Sequence, residues 1–151
     1  MDGTLGLALS LVISFLAVLI HYEGLGVIST FAVQAPVSPR LKMLGVISAV
    51  VVAHMIEAGV FGVAFWWGAD VIHIGRFVGS APKNAFQFYY FALETYTTQS
   101  VGDLYPVGGL RVLASLEPLV GLILIGWSTS FTFVVMRRYW RLKPARQAKP
   151  A

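Results

Sequence analysis

Three long apolar segments constrain the fold of this chain more than any other feature of its sequence. They cover about residues 4–33, 42–67 and 110–136 of the 151 residues. Each is longer than the roughly 20 residues that an α-helix needs to cross the hydrocarbon core of a bilayer. Only 12% of the residues are charged, against about 25% in an average soluble domain. The segments therefore predict an all-α membrane protein with three transmembrane helices.

A fourth apolar run is too short to cross a membrane. It covers residues 84–96, is rich in Phe and Tyr, and is followed by the polar stretch 97–103. Unpaired backbone groups at membrane depth cost several kcal/mol each, so a loop there is tolerated only inside protein or beside water. We therefore expect a re-entrant helix, preceded by a connector of mixed composition over residues 69–83.

The basic residues indicate how the chain crosses the membrane. Arg40 and Lys42 lie between the first two segments, and six of the eleven Lys and Arg residues follow Met136. Because basic residues concentrate on the cytoplasmic side, both regions should face the cytoplasm. Met1 and the polar loop should then lie outside, in a protein of the cell's inner (plasma) membrane. Since the positive charge flanks the membrane segments, it indicates contact with anionic lipids and not with nucleic acid.

The polar loop and its flanks carry a motif of a known channel family. In order along the chain, its residues are Glu94, Thr95, Thr97, Thr98, Gly102, Asp103, Leu104, Tyr105, Pro106, Val107 and Arg111. This set resembles the pore of the KcsA-type bacterial potassium channels, with the family's filter Thr-Val-Gly-Tyr-Gly-Asp falling on residues 98–103. The resemblance covers about residues 86–131.

The resemblance implies a homotetramer in which four copies of the loop surround one pore. It places the ion-binding filter on Thr98, Gln99, Ser100, Val101 and Gly102, the carboxyl pair behind the filter on Glu94 and Asp103, and the gating hinge of the inner helix on Gly121. The chain would divide into an N-terminal transmembrane helix (1–34), a pore module of outer helix, pore helix, filter and inner helix (42–136), and a basic cytoplasmic tail (137–151). The permeant ion would be potassium or another monovalent cation, with no further cofactor.

Three filter positions depart from the family's pattern, since Gln99, Ser100 and Val101 stand where the family has Val, Gly and Tyr. A residue with a side chain at the glycine position incurs about 1–2 kcal/mol in the left-handed conformation. Val101 also lacks the hydroxyl that ties the family's filter to its pore helices. The expected function is therefore a potassium or weakly selective cation channel. The alternative is a non-conducting scaffold or sensor subunit with a degenerate filter. An enzyme is not predicted, because the sequence has no recognisable nucleophile–base pair or phosphate-binding loop.

Four ionisable residues occur inside the first two apolar segments: His21, Glu23, His54 and Glu57. His21 and His54 are equidistant from the turn at residues 37–38, so two antiparallel helices would place them at one depth. His54 and Glu57 share a helix face, whereas His21 and Glu23 point apart, so one of those two should meet the second helix. A hydrogen-bonded structural pair is the favoured interpretation, and a proton sensor based on histidine is the alternative. A metal site made of two His and one or two Glu is a third, less favoured interpretation, because the i,i+4 histidine pair of helical zinc motifs is missing, and no metal ligands are assigned.

Glu117 precedes Pro118 inside the third apolar segment. Proline removes a helix hydrogen bond. The favoured interpretation of the pair is a hydrogen bond from Glu117 to the neighbouring pore helix, and the alternative is a kink with a buried carboxylate near the filter.

Overall fold

A computed structural model describes residues 2–99 and 102–139 of the chain. Within these residues three helices are long and apolar enough to cross a membrane: α1 (Asp2–Gln34), α2 (Pro39–Trp66) and α4 (Leu110–Tyr139). The short helix α3 (Ala85–Tyr96) lies between α2 and α4 along the chain. The protein is therefore mostly helical and belongs to the multi-pass membrane class, as the apolar segments predict. Much of the surface of the long helices is apolar and exposed, which suits contact with lipid tails or with other membrane-embedded chains.

Three helix ends meet at one end of the bundle. The turn after α1 is short, and α2 begins at Pro39, where a missing N–H removes no helix hydrogen bond. Tyr139, at the end of α4, donates a hydrogen bond to the backbone carbonyl of Ala32. The Lys42 ammonium lies 5.2 Å from the centroid of the Tyr139 ring. An apolar cluster fills the space between these helix ends: Leu25, Ile28, Ala32, Val46, Val50 and Val135.

A small antiparallel sheet covers the opposite end of α2. A π-helical turn (Trp67–Val71) extends this helix, and strands β1 (Gly75–Gly79) and β2 (Leu104–Gly108) then pair along their whole length. The sequence indicates only a connector over residues 69–83 and does not predict this sheet. The physical reason for the sheet is that the two strands lead into and out of α3. Their pairing satisfies backbone N–H and C=O groups that two separate loops would leave without partners.

Helix α3 packs back along the C-terminal half of α2. The Asn84 side chain caps it, since it accepts a hydrogen bond from the backbone N–H of Gln87 at 3.0 Å. An edge-on aromatic contact joins Phe91 of α3 to Phe65 of α2, with ring centroids 5.0 Å apart. Tyr96, the last residue of α3, is almost fully buried. Helix α3 therefore runs from the sheet end of α2 toward the centre of that helix.

The end of α3 and helix α4 come into close backbone contact at Gly121. A Cβ atom on Gly121 would lie 2.2 Å from the carbonyl oxygen of Tyr96 and 3.2 Å from its carbonyl carbon. These are backbone atoms, which no side-chain rotation can move away. Helix α4 continues through Gly121, whose neighbours on its buried face include Glu117 and Leu124. The resemblance assigns a gating hinge to Gly121, and the packing gives the same residue a second reason to be glycine.

This packing predicts different effects for two glycine substitutions in α4. Gly121→Ala should destabilise the protein by about 1–3 kcal/mol, because the added methyl overpacks the contact with α3. Gly126→Ala is the control, since among the described residues no atom outside the local helix backbone lies within 4 Å of a Cβ built there. Alanine is also favoured over glycine inside a helix by up to about 1 kcal/mol. Thermal unfolding of the detergent-solubilised protein, followed by circular dichroism, measures both effects. Equal unfolding temperatures for the two variants would contradict the close contact.

Candidate functional site

The loop between α3 and β2 holds the residues predicted to form a filter. The last turn of α3 continues into this loop, because the backbone N–H of Gln99 donates to a carbonyl of that turn at 2.8 Å. Thr98 has a φ of 64° and Gly102 a φ of 81°. Both are left-handed values, which are uncommon for a residue such as threonine. The side chains of Thr98 and Gln99 are exposed in the single chain. The other two predicted filter residues, Ser100 and Val101, lie outside the described residues.

Glu94 and Asp103, the predicted pair behind the filter, have different surroundings. Glu94 Oε1 is buried and has no hydrogen-bond partner among the described residues. The Asp103 side chain is exposed, and its backbone carbonyl accepts a hydrogen bond from the Ser80 N–H at 3.1 Å. The Glu94 carboxylate raises the pKa of the Tyr90 hydroxyl, mainly through a hydrogen bond, and Asp103 adds a smaller effect of the same sign. The two carboxylates therefore act on one neighbouring phenol, since each disfavours its ionised form.

A buried polar cluster lies where α1, α2 and α3 meet. At its centre is the Glu57 carboxylate, whose Oε1 lies 2.8 Å from His21 Nδ1 and whose Oε2 lies 3.0 Å from His54 Nδ1. The Tyr96 hydroxyl donates to Oε2 at 2.5 Å. His21 and Glu57 are fully buried, whereas the His54 side chain is 17% exposed. Burial and the hydrogen bond to Glu57 raise the pKa of Tyr96, so its hydroxyl keeps its proton and remains a donor.

Ser128 joins α4 to this cluster. Its hydroxyl oxygen lies 3.0 Å from His54 Nε2 and 3.4 Å from His21 Nε2. The centroids of the two imidazole rings are 5.3 Å apart, and the ring of Trp127 packs on His21 at a centroid distance of 5.3 Å. Each ring nitrogen of the two histidines thus faces a polar atom. The cluster connects α1, α2, α3 and α4.

The structure brings together three of the four ionisable residues expected at this depth. His21 faces α2, and Glu23 is exposed on α1. Tyr96 and Ser128 were not predicted members, because they come from helices whose position relative to α2 no sequence spacing specifies. Their signal in the sequence is weak. Each is a polar side chain on a helix face that is otherwise mostly apolar.

Glu117 is a second buried carboxyl group, on the face of α4 that also carries Gly121. It is fully buried, and neither of its carboxyl oxygens has a hydrogen-bond partner among the described residues. Two arrangements are predicted for Glu117-Pro118. The contacts among the described residues agree with a buried carboxyl group, and they show no hydrogen bond from Glu117 to α3. Because it forms no such bonds, Glu117 holds the described helices together less than Glu57 does.

Comparisons of the chain with models of protein families, with curated proteins and with solved structures found no match. They identify no family for the chain, so the resemblance of the loop to potassium channels stays a prediction from the sequence.

The contrast between Glu57 and Glu117 predicts the effect of removing each carboxylate. Glu57→Ala leaves His21, His54 and Tyr96 without their common acceptor, and breaking a buried pair in this way costs about 3–5 kcal/mol. Glu117→Gln removes no hydrogen bond seen in the described contacts, so its effect should be below about 1 kcal/mol. Thermal unfolding in detergent compares the two variants. If Glu57→Ala left stability intact yet shifted the pH dependence of ion flux, the cluster would be a proton sensor and not a structural connection.

Proposed function

We propose that this chain is one subunit of a homotetrameric channel of the inner membrane that conducts potassium or other monovalent cations with weak selectivity. The observation that carries the proposal is the position of Tyr96. Its hydroxyl bonds to Glu57, which lies well inside α2 (Pro39–Trp66), so α3 ends beside the interior of a membrane-spanning helix. The chain then returns to β2, which pairs with β1 at the end of α2.

The length of α3 supports a re-entrant arrangement. The helix has 12 residues and is therefore about 18 Å long, whereas the hydrocarbon core of a bilayer is about 30 Å thick. A helix of this length that starts at one membrane face ends roughly halfway across. The polar loop that follows would begin at a depth where irregular backbone is tolerated only inside protein or beside water. A water-filled pore at the loop meets this requirement.

Several features of the single chain favour an assembly around the loop. A filter replaces the hydration shell of an ion with carbonyl groups from several copies of a loop, and four copies are the arrangement in the channels that the loop resembles. The polar side chains of Thr98 and Gln99 are exposed, and Glu94 Oε1 has no partner in the described part of the chain. Large apolar side chains of α3 and α4 are also exposed, among them Phe86, Leu119, Leu122, Ile123, Phe133 and Val134. Neighbouring subunits and lipid would cover these side chains.

The alternative function is a non-conducting scaffold or sensor subunit that keeps the pore architecture. The replacement of the family's Val-Gly-Tyr by Gln99, Ser100 and Val101 favours it, because these residues set the conformation and the packing of the family's filter. The two functions differ in one measurable property, which is ion flux.

Reconstitution tests the channel directly. The purified protein is placed in liposomes, the fluxes of potassium, sodium and calcium are compared, and the number of subunits is measured in mild detergent and in membranes. A tetramer with monovalent cation flux supports the channel, and a tetramer without flux supports the scaffold. A monomer or dimer under both conditions would overturn the tetrameric pore.

Restoring the family's residues in the loop should change selectivity. Ser100→Gly combined with Val101→Tyr restores a residue that tolerates positive φ and a hydroxyl that can tie the loop to its surroundings. The permeability of potassium relative to sodium should rise by about tenfold, which corresponds to roughly 1.4 kcal/mol. The matched control is Ser80→Gly combined with Val78→Tyr, which makes the same changes in and beside β1. An unchanged permeability ratio in a variant that is still tetrameric would show that the family's filter geometry does not apply here.

The absence of cysteine from the chain allows the orientation to be tested by labelling. A cysteine at Ser38, in the turn between α1 and α2, should react with a membrane-permeant maleimide but not with an impermeant one added outside. A cysteine at Ser80, beside β1, should react with both reagents. The reason is that Arg40 and Lys42 place the first turn on the cytoplasmic side. The opposite pattern of labelling would show that the chain has the reverse orientation in the membrane.

A further inference from the structure

We propose that His21, His54 and Glu57, together with Tyr96, form a binding site for a divalent transition metal of the Zn²⁺ type. The proposal concerns the cluster itself and is independent of whether the chain conducts ions. It rests on four observations: the donor atoms that converge, their spacing, the polar group behind the two imidazoles, and a cavity that reaches the cluster from outside.

Both histidines turn the same ring nitrogen, Nδ1, toward the Glu57 carboxylate. One suitable ligand atom from each of His21, His54 and Glu57 lies within 4.8 Å of the other two. The Tyr96 hydroxyl lies beside them, 2.9 Å from His54 Nδ1 and 2.5 Å from Glu57 Oε2. Three protein ligands, with water in the fourth position, are a common arrangement around Zn²⁺.

The spacing of the donors is close to that of an occupied site. With Zn–N and Zn–O distances near 2.0–2.2 Å, neighbouring ligand atoms of a tetrahedral site lie about 3.3–3.5 Å apart. The Glu57 oxygens lie 2.8 Å from His21 Nδ1 and 3.0 Å from His54 Nδ1. Shifts of roughly half an ångström would open these hydrogen-bond distances to ligand distances.

The donor set selects the class of metal. Two imidazoles and one carboxylate are the ligands of many zinc sites, and imidazole suits Zn²⁺, Cu²⁺, Fe²⁺ and Ni²⁺. Mg²⁺ and Ca²⁺ prefer shells made of oxygen atoms, and the site offers two nitrogens. The site needs no thiolate, and the chain has no cysteine.

Ser128 lies on the side of both imidazoles that faces away from Glu57. Its oxygen lies near Nε2 of His54 and of His21, and a hydroxyl has two acceptor positions but only one proton. With both Nδ1 atoms on a metal, both Nε2 atoms carry protons, and Ser128 can accept a hydrogen bond from each. With both Nδ1–H groups donating to Glu57, both Nε2 atoms need a donor and Ser128 can serve only one. A metal on both Nδ1 atoms therefore gives both Nε2–H groups an acceptor in Ser128, and metal-bound histidines commonly have such outer partners.

A cavity with a mostly apolar lining reaches the cluster from the surface of the chain. It has a volume of about 500 Å³ and lies between α2 and α4, with His54 and Ser128 in its wall. Thr129 and Thr132 add hydroxyl groups to the same wall. The partly exposed His54 is thus the ligand that an entering ion would meet first, while His21 and Glu57 lie beyond it.

Cobalt provides the test, because tetrahedral Co²⁺ absorbs visible light far more strongly than Co²⁺ in water. The full chain is purified in detergent, stripped with a chelator and titrated with Co²⁺. We expect one equivalent per chain, intense visible absorption, and loss of that absorption when Zn²⁺ is added. His54→Ala should weaken binding at least tenfold, and Ser128→Ala about 10–100-fold. The matched control is His73→Ala, which should bind as the wild type does, because His73 is exposed beside β1 and bonds to the Ala69 carbonyl.

A second measurement covers variants that fold poorly. Zn²⁺ should raise the unfolding temperature of the wild type and of His73→Ala, since a ligand that binds only the folded state stabilises it. It should have no such effect on His54→Ala, whose folding is checked by circular dichroism and gel filtration. The proposal is overturned if the wild type shows only the weak absorption of octahedral Co²⁺, or if His54→Ala binds as tightly as His73→Ala. Neither outcome depends on ion flux, so the site and the channel can fail separately.

Discussion

The arrangement of the described helices depends on the hydrogen bonds that the Glu57 carboxylate accepts. It accepts hydrogen bonds from partners on three helices: His21 of α1, His54 of its own helix and Tyr96 of α3. Ser128 of α4 meets both histidines from behind. An ionised carboxylate in an apolar interior is costly without such partners, so these hydrogen bonds favour the positions of α1, α3 and α4 in which their polar groups reach the cluster.

Polar contacts have this influence because apolar packing discriminates weakly between helix arrangements in a membrane. Lipid tails are as apolar as leucine, so burying a leucine against another helix gains little over leaving it in lipid. Specific hydrogen bonds and close backbone contacts decide the arrangement instead. The cluster around Glu57 is one such contact, and the approach of Gly121 to the Tyr96 carbonyl is another. Both involve Tyr96, so the end of α3 is held from two sides.

The position of Tyr96 connects the cluster to the loop. Tyr96 ends α3, and the proposed filter begins two residues later at Thr98, which adopts a left-handed conformation. A change at the cluster, whether loss of a donor or binding of a metal, would act on the residue from which the loop starts. This connection also brings in α1, which lies outside the part of the chain that resembles a channel pore. His21 of α1 bonds to Glu57, and Glu57 bonds to Tyr96 at the base of the loop, so the N-terminal helix is linked to the loop through Glu57.

The sequence by itself determined the three long helices, the short helix after Asn84 and the shared depth of His21 and His54. Each follows from local rules, namely apolar length, helix capping, and equal distance from a turn between antiparallel helices. The pairing of β1 with β2, the contact at Gly121, and the entry of Tyr96 and Ser128 into the cluster were decided by the tertiary structure. These contacts join residues 25 to 107 positions apart. They depend on how helices rotate and cross, and in an apolar chain no hydrophobic periodicity specifies that rotation, because every helix face is compatible with lipid.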